Sequence, residues 1–284
     1  LSTMRRLRVP SKLSWELLVV DNNSTDETAR VVSSHAGCLP IVPIFEPKQG
    51  LSNARNRAAL EARGELIIWT DDDVRVDEHW LAEYAKAASQ HQAATYFGGR
   101  VLPWFEVEPQ PWISENIDLL SDTYALRDFG DGVRLLAANE YPVGASMACR
   151  RQAMLDVPFN SKLGRQGASL VGGEEIDVLT RLQSRGDHGV WVGTAVARHF
   201  IPSGRLSREY VWKWRYGAGQ ALAREMKVPS GRRIGGVPLW MLKAYATRSL
   251  RRAINELRGG RPWLMAYLDQ AHAAGMVSES RAGR

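Results

Sequence analysis

Asp71, Asp72 and Asp73 follow directly on the apolar run Leu66-Ile67-Ile68-Trp69-Thr70, so three consecutive carboxylates close what reads as a buried strand. In open α/β sheets, ligands bind beyond the carboxyl ends of strands. Adjacent acids repel one another and resist burial. Hard oxygen donors at this density suit Mn²⁺ or Mg²⁺ carrying a phosphorylated substrate. The competing reading is a solvated acidic turn capping the next helix. Asp77 already fills that capping role ahead of His79-Trp80-Leu81.

Three other clusters, Asp21, Arg55 and Glu174-Glu175, can be placed at the same sheet edge. Asp21 ends the run Glu16-Leu17-Leu18-Val19-Val20. Arg55 falls in the first turn of a helix predicted over Ser52 to Arg63, where a cation opposes the helix dipole unless an anion sits there. A diphosphate or a nucleobase edge would be such an anion; a surface pairing with Glu46 or Glu61 is the alternative. Glu174 and Glu175 open a later helix behind the glycine-rich stretch Arg165 to Gly173, and a carboxylate there can act as a general base. The dipole alone also explains acids in a first turn, and Asp177 with Arg181 forms an i,i+4 pair. His199 ends a predicted strand ahead of Ser203-Gly204-Arg205. It joins carboxylate and diphosphate oxygens around Mn²⁺ in one reading and is a hydrogen-bonding core histidine in the other.

Strands and helices must deliver these side chains. From Trp15 to about Ala94 the chain alternates strand and helix, which predicts a layered, mainly parallel α/β sheet. Ser24-Thr25-Asp26-Glu27 reads as a capping box, with the helix behind it ending at Gly37. Ile41 to Phe45 is a second strand, near an edge because Pro43 cannot donate to a ladder. Gly64 is expected in the left-handed cap position closing the Ser52 to Arg63 helix. Tyr96 to Trp112 is rich in Gly, Pro and aromatics and reads as a crossover lining a pocket; the stretch to about Asn139 has no clear pattern. Strands are expected over Tyr141 to Arg150 and Val190 to Phe200, a helix over Glu174 to Ser184, and helices beyond Ser207, including one from about Leu239 to Arg258. Residues 1–206 therefore form the catalytic domain and 207–284 a helical extension.

With 284 residues and 44% hydrophobic content the chain can bury a large core, and disorder is excluded. Cys38 and Cys149 match no metal or disulfide spacing and read as buried small hydrophobes in a reducing cytoplasm. No run reaches the ~20 apolar residues that span a bilayer. The net charge of +6 is concentrated between Arg232 and Arg261, away from the acids, so it does not indicate a nucleic-acid partner. The helix carrying Arg248, Arg251, Arg252 and Arg258 suits either peripheral contact with an anionic membrane face or ordinary packing on the domain.

WELLVVDNNSTDET (15–28), GLSNARNRA (50–58), GELIIWTDDD (64–73) and GGEEIDVLTRL (172–182) resemble, in order and spacing, the family-2 inverting glycosyltransferases of the GT-A fold, over about residues 1–220. The resemblance implies a Rossmann-like sheet flanked by helices. It places Asp21 on the nucleobase with Asn23 on the donor side, Arg55 near base and diphosphate, Asp71 or Asp72 at the ribose, Asp73 on the metal, and Glu175 as catalytic base. Glu174, Arg165 and Trp104 become acceptor or loop candidates. Two features depart from the family: a Glu-Glu pair stands where Glu-Asp is usual, and the chain opens in what would be the helix after the family's first strand. The absence of that strand would leave neighbouring ladders unpaired and part of the nucleotide pocket missing.

The expected activity is metal-dependent, inverting transfer of a sugar from a nucleoside-diphosphate sugar, UDP-linked, to a saccharide or lipid-linked acceptor in polysaccharide or glycan assembly. Selectivity would lie in the loops over Trp104 to Asp131 and Arg165 to Val171. A silent sugar-nucleotide-binding scaffold and a metal-dependent nucleotidyltransferase are the rival readings, the latter because acids at strand ends also serve phosphoryl transfer.

Overall fold

A computed structural model describes residues 1–164, 173–226 and 231–282. The first part alternates as its periodicity predicts: β1 (Leu17–Asp21), α1 (Thr28–His35), β2 (Ile41–Phe45), α2 (Leu51–Glu61) and β3 (Leu66–Trp69). The chain then reverses at the acids into β4 (Val74–Val76), followed by α3 (Trp80–Gln90) and the ten-residue β5 (Tyr96–Phe105). After the short α4 (Pro111–Ser114) come β6 (Val133–Leu135), β7 (Met147–Arg150), α5 (Arg151–Asp156), α6 (Glu174–Ser184) and β8 (Gly189–Ile201). The remainder is helical: α7 (Arg208–Glu225), a two-residue hairpin of β9 (Arg233–Ile234) and β10 (Val237–Pro238), α8 (Leu239–Glu256) and α9 (Gly260–Ala282).

The mixed α/β architecture is as expected, but the sheet is not mainly parallel. β1 and β2 pair in parallel as a sheet of their own, and the bonds from Thr95 N to His188 O and from Glu106 N to Ile201 O set β5 parallel to β8. The larger sheet runs β3-β7-β5-β8-β4 with β6 on β8, and β7 is antiparallel to β3 and β5, as β4 and β6 are to β8. Parallel neighbours need a crossover, usually helical, between them. Behind β3 helices still intervene, α3 between β4 and β5 and α5 with α6 ahead of β8, but β4 and β7 pair antiparallel with strands distant in sequence. Pro43 sits in β2, which pairs only with β1, as a residue lacking an N–H requires. β1 and β3 each end their sheet, and both border an apolar cleft of about 920 Å³ lined by Leu13, Trp15, Leu18, Ile68 and Trp80.

Several local expectations shift. The capping box does not form; Asp26 Oδ1 instead accepts from Thr28 N at 3.0 Å, and α1 starts there. Gly64 is not among the positive-φ residues, because α2 ends at Ala62 with extended backbone. The Gly- and Pro-bearing stretch from Tyr96 is a strand, its glycines buried against neighbours that leave no room for Cβ. Cys149 is buried, but Cys38 is exposed in the turn after α1, since α1 is short and buries only Val32.

The chain divides into two compact units: Leu1–Trp104, Ala125 to Gly164 and Gly173–Phe200 in one, Phe105–Tyr124 with the chain from Ile201 in the other. In the first, α2 (Ala58, Ala59, Ala62) and α6 (Val178, Leu179, Leu182) pack into one core with Ile67 and Trp69 of β3 and Met147 and Cys149 of β7. Arg55 lies one turn before Ala58 and Ala59, and Glu174 one turn before Val178. The shared core therefore brings the early turns of both helices together. In the second unit, α7 and α9 approach closely at Gly219 and Gly275, where a Cβ would strike the carbonyls of His272 and Tyr216. Arg252 lies over the rings of Trp212 (5.4 Å) and Tyr267 (4.8 Å), which ties α8 to the other two helices.

Candidate active site

Arg55 is the hub of the acidic cluster. Because α2 begins at Leu51, Arg55 stands in its second turn, clear of the free N–H groups, and its partners are protein carboxylates. Nη1 lies 3.2 Å from Glu174 Oε1 and 3.0 Å from Glu175 Oε1, and Nη2 lies 3.9 Å from Asp71 Oδ1. Glu61 pairs with Arg57 instead. The Arg55 side chain is only 5% exposed, with the Phe159 ring 5.3 Å away. Its neighbours on α2 explain the rest of the SNARN segment. Ser52 Oγ donates to Leu163 O at 2.8 Å, and Asn56 exchanges two 2.8 Å bonds with the Phe159 backbone. One face of α2 thus grips the chain leading to Gly164 while Arg55 holds the two glutamates.

The two glutamates share one cation and differ in exposure, 3% for Glu174 and 20% for Glu175. Burial and the neighbouring Glu175 push the Glu174 carboxyl up to about 7, and its Oε2 has no hydrogen-bond partner among the described residues. Burial also acts on Glu175, but the Arg55 charge and hydrogen bonds outweigh it and hold that carboxyl below its ordinary range. Glu175 is the more accessible member and the one held toward its ionised form, and Glu174 the one that takes up a proton first as pH falls. The consequence for stability has a definite sign. The folded-state value of Glu174 lies above the ordinary 4.5, so its contribution is complete below pH 4.5 and is lost as pH rises through about 7. Glu174→Gln is expected to flatten the loss of stability between those values by on the order of 2 kcal/mol, read from urea midpoints at each pH.

Asp71 links this cluster to the next. Burial raises its carboxyl, Arg55 opposes that, and Glu175, Asp73 and His199 all act on it electrostatically. Asp73 Oδ2 is 3.3 Å from His199 Nε2, a pair made possible by the β4–β8 register, in which Val74 faces His199, and by the bond from Phe200 N to Asp73 O. Asp72 is exposed. Among the described residues no group of three His, Cys, Asp or Glu side chains is arranged to hold a metal. Two protein donors, one carboxylate and one imidazole, nevertheless fit a divalent cation such as Mn²⁺ that takes its remaining ligands from diphosphate and water. Trp104 packs on Phe200 with ring centres 4.7 Å apart and lies against the Arg75 guanidinium, so it stands by the strand that carries His199.

The donor-side residues are held by backbone geometry. Asp21 Oδ1 accepts from Ser24 N at 2.8 Å, and Asn23 takes a left-handed φ of 62° in that turn. Asn22, which the sequence did not single out, is the staple: it donates to Glu46 O and Lys48 O and accepts from Gly50 N at 2.7 Å. It thereby fixes the start of α2 relative to the end of β1. Arg165 and the glycine-rich stretch to Gly172 lie outside the described residues.

Sequence reading also missed Gly144 and Ser146. A Cβ on Gly144 would overlap Arg55 Nη2 and come within 2.5 Å of Glu175 Oε1. Behind it, buried Ser146 is fixed by Trp80 Nε1 (2.9 Å) and the Tyr84 hydroxyl (2.8 Å to its carbonyl), so this backbone cannot retreat. The signal was in the Val-Gly-Ala-Ser run after Pro142, but its partner is 89 residues away in sequence. Gly144→Ala is expected to separate Arg55 from Glu175, lowering kcat at least tenfold and lowering the melting temperature as well, since the contact it breaks belongs to the buried ion cluster.

The glycosyl transferase family 2 description matches residues 2–156, more than half of the chain. The succinoglycan biosynthesis protein ExoM of Rhizobium meliloti is 24% identical over 230 residues, 79% of this chain and 69% of that protein. A dolichyl-phosphate beta-glucosyltransferase, ALG5C of Trichomonas vaginalis, is 35% identical over 78 residues, 26% of this chain and 23% of its own length. Among solved structures, mannosyltransferase PcManGT from Pyrobaculum calidifontis, in complex with GDP-Man and Mn²⁺, superposes with a TM-score of 0.58 at 18% identity, covering 98% of this chain and 81% of that one. S. aureus TarS 1-349 in complex with UDP-GlcNAc gives 0.54 at 15% identity, covering 100% and 87%. The GT-A fold expected from the motifs is thus the fold of these structures, and the chain belongs to glycosyl transferase family 2.

Proposed function

We propose that the protein is a metal-dependent inverting glycosyltransferase that moves a sugar from a nucleoside-diphosphate sugar, in the first instance a UDP-sugar, to an acceptor hydroxyl in polysaccharide or lipid-linked glycan assembly. The observation that carries the reading is the Arg55 hub. It holds Glu175 ionised beside a second carboxylate group, Asp71, that also feels Asp73 and His199. Nucleotide-sugar and Mn²⁺ complexes of structures with this fold, and the polysaccharide role in the ExoM name, support it.

In this reading Asp21 and Asn23 lie on the nucleobase side and Asp71 or Asp72 at the ribose. Asp73 and His199 would hold a divalent cation, Mn²⁺ or Mg²⁺, whose charge stabilises the departing diphosphate. Glu175 takes the proton of the acceptor hydroxyl as its oxygen attacks the anomeric carbon from the face opposite the leaving group, so one displacement inverts the centre. Glu174, the readier of the pair to take up a proton, limits the negative charge facing the donor, and Arg55 keeps Glu175 aimed. Trp104 and Phe200 offer an aromatic platform on the acceptor side. Peripheral contact with an anionic membrane is supported by α8, which exposes Leu250 and Ile254 beside Arg251. None of the described helices is long and apolar enough to cross a membrane.

The test is turnover with a panel of UDP- and GDP-sugars and saccharide or lipid-linked acceptors. Release of nucleoside diphosphate with a product of inverted anomeric configuration is expected. Pyrophosphate as product, or a retained configuration, rules the proposal out.

A further inference from the structure

The helical unit contains a second cavity, of about 390 Å³, open to solvent on one side and lined by α7, α8 and α9. Its polar lining is Arg215 of α7, Arg248 of α8, and Asp269 and His272 of α9. Its apolar lining includes Leu222, Met226, Trp240 and Met276. Two guanidiniums thus face one space with a single carboxylate, and that carboxylate also lies 3.9 Å from a third guanidinium, Arg251. Arg215 Nε and His272 Nε2 are shielded from solvent and have no hydrogen-bond partner among the described residues.

Sequestered polar groups without a partner are costly unless a ligand satisfies them. Packing alone does not require two arginines here, because aliphatic side chains would fill the same volume at lower desolvation cost. The apolar wall continues outward: Leu222 and Trp240 are 41% and 43% exposed, so a ligand with its anionic head on the arginines has a hydrocarbon-compatible path to the surface. A phosphate oxyanion matches the head, since guanidinium groups bind it through paired, charge-assisted hydrogen bonds. The apolar rim calls for an attached chain, which a free phosphate ion lacks.

We infer that the α7–α8–α9 cavity is a lipid-phosphate site, in which Arg215, Arg248 and His272 bind the phosphate and Leu222, Met226 and Trp240 receive the first carbons of its chain. This site stands on the helical unit alone and does not depend on the transfer reaction assigned to the other unit. The His272 imidazole supplies an internal reporter. Burial first, then the Arg215 and Arg248 charges, push it down to about 4 against a smaller opposing effect of Asp269. An anion bound between the arginines would shift it upward.

The test uses the full chain and dihexanoyl phosphatidic acid below its micellar concentration, followed by calorimetry, with inorganic phosphate and dihexanoyl phosphatidylcholine as comparators. Binding of the phosphatidic acid is expected to be at least tenfold tighter than that of either comparator. It should weaken about tenfold or more in Arg215→Gln and in Arg248→Gln but less than twofold in Arg258→Gln, which removes the same charge outside the cavity. Leu222→Gln, at an exposed position that folding tolerates, should weaken the lipid and leave inorganic phosphate unchanged. The histidine Cε1–H resonance assigned by His272→Gln should titrate at higher pH with lipid bound. Equal affinity for inorganic phosphate and lipid, no binding, or equal losses in Arg258→Gln and Arg215→Gln would each overturn the assignment.

Discussion

Glu175→Gln is expected to lower kcat about a thousandfold, within the 10²–10⁴ that a positioned base contributes, and to leave the dissociation constant of the nucleotide within about threefold of wild type. The split follows from the geometry. Glu175 is 20% exposed and is kept ionised by Arg55, so its charge is available to an acceptor hydroxyl. The amide keeps the shape and loses the basicity. A parallel fall in donor affinity would show that Glu175 binds the donor instead. Glu174→Gln supplies the contrast: its oxygen is buried and raised toward neutrality, so the amide mimics the state it already holds and kcat should fall far less.

Arg55→Met should have the largest effect on the folded state. The substitution leaves Glu174, 3% exposed, and Glu175 without the cation that both share, together with Asp71 at 3.9 Å. Removing one partner of a buried ion pair costs about 3–5 kcal/mol. Loss of Arg55 also raises the carboxyl values of both glutamates, because its charge lowers each of them in the native protein. The cost should therefore be greatest above neutrality and shrink toward pH 5, where the carboxyls take up protons. Denaturant unfolding at pH 5 and pH 8 reads this directly. An equal loss at both values would mean that Arg55 acts through packing against Phe159 and not through charge.

The sequence made the first unit legible through Trp69, because each strand–helix repeat carries its own hydrophobic period and the acids mark where β3 stops. Glu174–Ser184 was legible to the residue, since Gly173 and three acids at its start give an N-terminal signature. Direction of pairing was not, because it depends on how distant strands meet, and the returning strands β5, β7 and β8 hold the same apolar residues in either sense. Tyr96–Phe105 was hidden by Gly98, Gly99 and Pro103, which argue against a strand when neighbours are unknown. α9 lies in the stretch expected to be helical, but its bounds were not legible because it is apolar around much of its circumference, with Leu264, Tyr267, Ala271 and Met276 all buried. At the site, the residue types of Arg55, Asp73, Glu175 and His199 were readable, but the partner of Arg55 was not. Reading it as an anion receptor followed from a helix start set one residue too late; the structure gives it carboxylates from another helix. Asn22, Gly144 and Ser146 act through contacts with residues far away in sequence, which leave little trace in residue type.

The central claim is that Asp73, joined to His199, brings donor and cation to the carboxylates around Arg55. Titration of the full chain with UDP by calorimetry, with Mn²⁺ and then with EDTA, tests it most directly. Metal-dependent binding in the wild type, weakened at least tenfold in Asp73→Ala and unchanged in Asp72→Ala beyond about threefold, is the predicted result. Binding that is the same with and without the cation, or that Asp73→Ala leaves intact, would contradict it.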